Sequence, residues 1–416
     1  MVSWKAVCAV LGLLLLPALA PAAENCTACH NVAVSGVHQR TACSACHGDR
    51  GQRLADPAAA SNGAAGCVAC HAGHNGIFLQ GMTTRSAEKN FVAQTFSRVD
   101  PDFFAKNCSS CHVSSCTDCH GGNGHKLARP ALESCHRCHK GYFIGADFFG
   151  RAPREDSLRY QRGDLIEGEA YLKMTPDVHF EAGMSCGDCH SMTSLAAGRK
   201  TAKSCRDCHT PDLKILEHRI GAHLEKLECY ACHSAWGAQE YGTFYLRLEE
   251  SASKENFRLR GNSGSEYLKS AYLKRQNAPP LGLNNAGRVS PIRPQFITFY
   301  THTSKDQLVG EENQLLAAQW KAFFPHTIRR GTVLCRECHE SPQRFLLEKP
   351  EARIYLPDVD GLALPSFWNR QGQQLGNGRF FPAERFESMS RHPAYLKGAV
   401  EKWNNLIKRV EVSSGD

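Results

Sequence analysis

Long apolar runs are nearly missing from this chain. After one near the N-terminus, no segment approaches the roughly 20 residues that a membrane-spanning helix requires, so the rest of the chain reads as soluble. Large aliphatic side chains are also sparse from Glu24 to about Lys140, where Gly, Ala, Ser and Asn dominate. No apolar stripe there specifies an ordinary helix bundle. Methionine occurs six times, and beyond Met1 the copies are Met82, Met174, Met184, Met192 and Met389. Despite a formal charge of +8, the sequence has neither a basic stripe nor a nucleic-acid-binding motif, which argues against nucleic acid as a partner. The hydrophobic fraction of 42% is slightly low for 416 residues. Something other than aliphatic side chains is expected to fill much of the interior.

The one apolar run, Val7 to Leu16, follows Lys5 and precedes Pro17 and small residues through Ala23. It reads as a secretory signal peptide over residues 1–22, cut after Ala22. It is too short for a membrane anchor and is broken by Pro17 and Pro21. Cys8 lacks the residues that precede a lipoprotein cysteine and leaves with the leader. Export to an oxidising compartment, the periplasm or beyond, would pair the remaining thiols as disulfides unless another chemistry claims them.

Of 21 cysteines, all but Cys8 fall into ten copies of Cys-x-x-Cys-His. The first six are Cys26, Cys29, His30; Cys43, Cys46, His47; Cys67, Cys70, His71; Cys108, Cys111, His112; Cys116, Cys119, His120; and Cys135, Cys138, His139. Three follow as Cys186, Cys189, His190; Cys205, Cys208, His209; and Cys229, Cys232, His233. The tenth, Cys335, Cys338, His339, stands alone. Two cysteines at this spacing can bond the two vinyl groups of one haem while the adjacent histidine binds the iron, which is the c-type attachment motif. A zinc site does not explain a histidine after every second cysteine. A disulfide framework explains an even count but not the spacing. Ten haem c groups are therefore expected. The motifs resemble those of the multihaem cytochromes c of bacterial respiratory chains, over residues 26–233 and again over 335–339. That resemblance implies electron transfer between a quinol-linked donor and a terminal reductase or outer-membrane conduit.

The ligand opposite each motif histidine decides whether an iron passes electrons or binds substrate. Ten further histidines match the ten motifs: His38, His74, His125, His136, His179, His218, His223, His302, His326 and His392. The equality points to bis-histidine coordination and a low-potential carrier. His38, His74, His125 and His179 lie within a few residues of motifs and suit neighbouring haems, and so does His136, which sits inside the sixth motif. His218 and His223 fall on an expected helix with Leu213, Leu216, Ile220 and Leu227. Five residues there turn the rings about 140° apart, toward different haems. His302, His326 and His392 lie in motif-poor sequence, so a missing ligand would be among them. Met184 and Met192 flank the seventh motif and read as core packing.

The expected fold is mainly α with much irregular structure, arranged around a stacked array of covalent haems, with a small β element within 240–302. Residues 23–140 form a six-haem region, 141–239 a connector and three-haem region, and 240–416 a motif-poor region with one haem. Within the last, Phe244, Leu246 and Leu248 alternate like a strand, as do Ile297 and Phe299. Glu311 to Phe324 reads as a helix with Leu315, Leu316, Trp320 and Phe323 inward. A further helix starts at Pro393, with Leu396, Val400, Trp403 and Ile407 on one face. Twenty propionate charges, set against the mature chain's positive charge and the +1 that each ferric iron leaves on its ring, bring the oxidised holoprotein to about −3, so the basic residues read as propionate partners. The expected function is an electron conduit, with self-assembly into a filament if neighbouring copies supply distal histidines. The second reading is a reductase of a nitrogen or sulfur oxyanion with one open or lysine-ligated haem, although no Cys-x-x-Cys-Lys variant occurs.

Overall fold

A computed structural model describes residues 39–40, 71, 92–108, 116–120, 128–136, 148–149, 161–166, 169–173, 177–197, 202–252, 266–348 and 375–413. The chain forms two units, Met1–Cys70 with Ser115–Arg129, and His71–Ser114 with Pro130–Asp416. Within the first, the described structure is a helical turn over Thr117–His120 and its short surroundings.

The second unit is built on strands. Strands β1 (Phe148–Phe149), β2 (Gln161–Ile166) and β3 (Glu169–Lys173) form an antiparallel sheet in the order β1-β3-β2. Strands β4 (Trp236–Glu249), β5 (Tyr267–Asn277), β6 (Leu281–Asn284), β7 (Val289–Ser304), β8 (Gln307–Ala322) and β9 (Gly378–Phe380) form a six-stranded sheet ordered β5-β4-β7-β6-β9, with β8 also paired to β7. Strands β4 and β7 run parallel, and the other pairs are antiparallel.

This architecture corrects the expectation of a mainly helical fold. Four strands span 11 to 16 residues, and Pro393–Ser413 is the one helix longer than eight residues among those described. The alternation at Phe244 to Leu248 and at Ile297 to Phe299 does belong to strands, β4 and β7. The helix expected over Glu311 to Phe324 is instead mostly β8. The reason is burial on both faces. On one face Phe299, Ile292, Ile297 and Trp320 pack together with Phe244 and Leu315, and the Phe244 and Phe299 rings stack at 4.8 Å. On the other face Tyr245, Tyr267 and Tyr300 pack with Val92, Phe96, Phe103 and Leu316. Apolar residues on both faces erase the period of two that marks a half-exposed strand. Each large side chain so buried stabilises the sheet by roughly 1.5–3 kcal/mol.

The β7–β8 hairpin turns through Lys305 and Asp306, both with positive φ (49° and 61°). That is the backbone of a two-residue turn matched to strand twist, here without the usual Asn-Gly.

A polar cluster fixes the 92–108 segment, which leads to Cys108, against the sheet. Asp100, 2% exposed, accepts from the Tyr267 hydroxyl at 2.6 Å, Lys106 Nζ at 3.0 Å and the Asp102 amide at 2.9 Å. Burial pushes the Asp100 carboxyl up, but these hydrogen bonds and the Arg247 charge outweigh it and leave its pKa below the ordinary aspartate value. A depressed folded-state pKa contributes stability that is present above the unfolded value and is lost as pH falls through the folded one. Asp100→Asn should therefore cost about 1–3 kcal/mol near neutral pH. Denaturant titrations should show that difference shrinking below about pH 4, where the unfolded chain takes up the proton first, until folded Asp100 is protonated as well.

Candidate functional site

The motif pentapeptides form single helical turns. Cys186–Cys189, Cys229–His233 and Cys335–His339 are helical, and Cys205–Asp207 is a 3-10 turn. Positions i, i+3 and i+4 share one helix face, so both sulfurs and the imidazole of a motif point the same way. The turn closes when the histidine amide donates to the first cysteine's carbonyl, at 2.8 Å for His190 to Cys186 and for His209 to Cys205. Two motifs carry a capping device that sequence reading missed. The Ser185 amide and hydroxyl both donate to Asp188 Oδ2, at 2.6 and 3.0 Å, and Ser204 repeats both bonds to Asp207. The signal was legible as Ser-Cys-x-Asp-Cys-His, a carboxylate three residues after a serine.

Of the five motifs whose cysteines and histidine are all described, the seventh to the tenth each face one more histidine. The ring centres lie 6.3 Å apart for His190 and His326, 5.8 Å for His209 and His179, 6.1 Å for His233 and His218, and 6.1 Å for His339 and His223. A metal–imidazole bond of about 2.0–2.1 Å on each side, with about 1.1 Å more to each ring centre, places two trans imidazoles about 6.3 Å apart. Among the described residues, no group of three or more His, Cys, Asp or Glu side chains converges on one point, and no disulfide joins two cysteines.

Ring orientation follows from the Nδ1 contacts. Nδ1 of His339 lies 3.1 Å from the Met389 carbonyl, and Nδ1 of His218 lies 3.1 Å from that of Asp212. In the first unit, Nδ1 of His120 lies 3.0 Å from the Ala128 carbonyl. His223 and His233 bond the backbone of Glu217 and Gly331. A carbonyl only accepts, so where Nδ1 makes the contact it carries the proton and leaves the Nε2 lone pair for a metal. Burial lowers the pKa of His190, His223, His233 and His339, which favours the neutral ring that metal binding needs. The donor set thus fits an axially bis-histidine iron, with two sulfurs beside it for thioether attachment.

Asp177 is a positioning residue that sequence reading did not single out. Buried at the start of the helix Val178–Glu181, its Oδ1 accepts from the His179 amide at 2.9 Å and from His179 Nδ1 at 2.7 Å. Its Oδ2 accepts from the Ile328 amide at 2.7 Å, two residues beyond His326. One carboxylate therefore steadies the loops that carry two paired histidines. His326 itself adopts a left-handed backbone (φ 54°), with its ring edge-on to Phe324 at 4.5 Å. Such backbone is uncommon for a residue with a side chain.

The remaining expected ligands fall out differently. The single helix expected around His218 and His223 is two short ones, Leu216–Arg219 and Gly221–Lys226, broken at Ile220 with ψ 101°. The two rings still face different motifs. His302 does not meet a motif histidine among those described; its Nε2 lies 3.0 Å from Glu249 Oε2 on the sheet. His392 Nδ1 accepts from the Ala394 amide at 3.1 Å, which places the proton of a neutral ring on Nε2.

Of the earlier motifs, His71, Cys108, Cys116, Cys119, His120 and Cys135 are described. Cys26, Cys29, His30, His38, Cys43, Cys46, His47, Cys67, Cys70, His74, Cys111, His112, His125, Cys138 and His139 lie outside the described residues, as does the His136 side chain.

Buried Arg344 bridges the ninth and tenth motifs. Its Nη2 donates to the Ala231 carbonyl at 3.1 Å, while Nε and Nη1 have no hydrogen-bond partner among the described residues. Burial pulls its pKa down, and the Cys232 and Cys338 sulfurs lie close by.

No protein-family model, curated protein or solved structure matches the chain.

Proposed function

We propose that the chain is an exported multihaem c-type cytochrome that passes electrons through closely spaced bis-histidine haems, between a respiratory donor and a terminal acceptor or the next carrier. The observation carrying this reading is the set of four ring pairs at 5.8 to 6.3 Å, each joining one motif histidine to one distant histidine. Haem c supplies the one-electron chemistry. The cysteines anchor it, the histidine pairs keep small ligands off the irons, and carboxylate or carbonyl partners at Nδ1 tune their potentials. The twenty cysteines of the ten motifs are accounted for by attachment.

Asp177→Asn tests the tuning. The carboxylate makes His179 a stronger donor and so favours the ferric iron. The amide should raise the midpoint of one haem by a few tens of millivolts, corresponding to about 1 kcal/mol, in a spectroelectrochemical titration. An unchanged set of midpoints would remove Asp177 from that role.

The reductase reading survives on one observation. With His302 bonded to Glu249 and His392 accepting from the helix backbone, eight of the ten further histidines are left for ten irons. Low-temperature EPR of the oxidised protein, integrated against haem content, separates the readings. Low-spin ferric signals accounting for ten haems support the conduit, whereas a stoichiometric high-spin signal that responds to nitrite supports the reductase. Absence of covalent haem would overturn both.

A further inference from the structure

The cysteine sulfurs of consecutive motifs lie near one another in pairs, in contact for two pairs and as neighbours for two, and the pairing alternates. Cys135 of the sixth motif contacts Cys186, the first cysteine of the seventh. Cys189, the second cysteine of the seventh, neighbours Cys208, the second of the eighth. Cys205, the first of the eighth, contacts Cys229, the first of the ninth. Cys232, the second of the ninth, neighbours Cys338, the second of the tenth. First therefore meets first and second meets second, in turn along the chain.

Backbone contacts support the same order. The Lys203 amide donates to the Cys189 carbonyl at 3.0 Å, tying the eighth motif's leading strand to the seventh motif. Arg206 of the eighth motif donates to the Leu224 carbonyl at 2.8 Å, just ahead of the ninth. The Val333 amide reaches the Cys232 carbonyl at 3.4 Å, and Arg344 reaches Ala231, which joins the ninth motif to the tenth. Ala231 and Cys338 also share one apolar cluster with Leu281, Leu283 and Phe345. The distal histidines interleave in the same way. His179, ahead of the seventh motif, faces the eighth, and His218 and His223, between the eighth and ninth, face the ninth and tenth.

We infer that the sixth to tenth haems form an unbranched wire in sequence order, the seventh, eighth and ninth each facing two neighbours through their two thioether corners and the sixth and tenth facing one. The inference rests on the multihaem reading above. Haem c carries both thioethers on one edge and both propionates on the opposite edge. First sulfur against first on one side, and second near second on the other, places the attachment edge toward both neighbours. The propionate edges then point away from the line of transfer. At each hop one ferrous iron is oxidised and the adjacent ferric iron is reduced, so no further reactant is required. The two cysteines of a motif thereby have different tasks: Cys205 and Cys229 set one junction, Cys189 and Cys208 another.

Iron anomalous scattering from crystals of the holoprotein tests the order. The expected result is an iron between each of the four ring pairs, with the iron at His209 having those at His190 and His233 as its two nearest neighbours. The iron at His233 should likewise lie nearest those at His209 and His339, with thioether edges facing at each junction. Irons in all four pairs but in another order, or facing through propionates, would overturn the wire while leaving the electron-transfer reading intact. Ring pairs without iron would overturn both.

Discussion

His218→Ala should convert one haem of the ten from low-spin to high-spin ferric. About one tenth of the integrated EPR intensity should leave the low-spin region, and the reduced variant should bind one more equivalent of carbon monoxide than the native protein. The expectation follows from the site. His218 is held by its Nδ1 contact with Asp212 and faces His233 at 6.1 Å, and no second described histidine is within comparable reach of that ring. His302→Ala provides the contrast. Its ring is bonded to Glu249 on the sheet, so removing it should leave the spin count unchanged and cost only sheet stability. If His302→Ala opened a haem and His218→Ala did not, the pairing inferred from ring distances would be wrong.

The motif turns of this chain are far more legible in its sequence than its architecture. Cys-x-x-Cys-His is a local device: one helical turn presents the sulfurs and imidazole together, so ten copies could be read without any knowledge of tertiary structure. The partners of those histidines are non-local. His326 reaches His190 only because β8 ends there and the backbone turns left-handed, and no residue pattern announces that turn. His218 and His223 were expected to diverge by helix rotation, yet a break at Ile220 separates them instead. The equality of ten and ten carries no geometry, and the bonds of His302 to Glu249 and of His392 to the Ala394 amide are invisible to a count.

The fold was misread where burial is two-sided. In β8, Leu315 joins one apolar cluster and Leu316 the other, so neighbouring residues are both apolar and the spacing mimics a helix. The turn at Lys305 and Asp306 gave no help, since neither residue is the usual marker of positive φ. The helix beginning at Pro393 was legible because its stripe is not shared with a sheet: Leu396, Val400, Trp403 and Ile407 are all more than half exposed. A pattern written on an exposed helix is simpler than one shared between two faces of a sheet.

A chain made in cells unable to attach haem should fold in part. Limited proteolysis should cut within residues 177–233 and spare a fragment spanning the large sheet, 236–348, and circular dichroism should keep its strand signal. The sheet has apolar clusters of its own, with Trp236, Trp320, Ile292 and Leu283 each at most 1% exposed. The motif segments over 177–226 join none of the described clusters, and Ala231 joins one only beside Leu281 and Leu283 of the sheet. Their helices are three to six residues long, far below the roughly 12 to 15 at which an isolated helix becomes even marginal. Leu213 and Ile215 beside them are 60% and 43% exposed. Covalent macrocycles clamped between paired histidines would cover that surface and constrain those turns, much as a structural metal ion folds a small domain. Withholding them should remove more than the roughly 5–15 kcal/mol of net stability that a domain possesses. Resistance to protease across 177–233 in the haem-free chain would show instead that these turns hold their histidine pairs without the group they are spaced to receive.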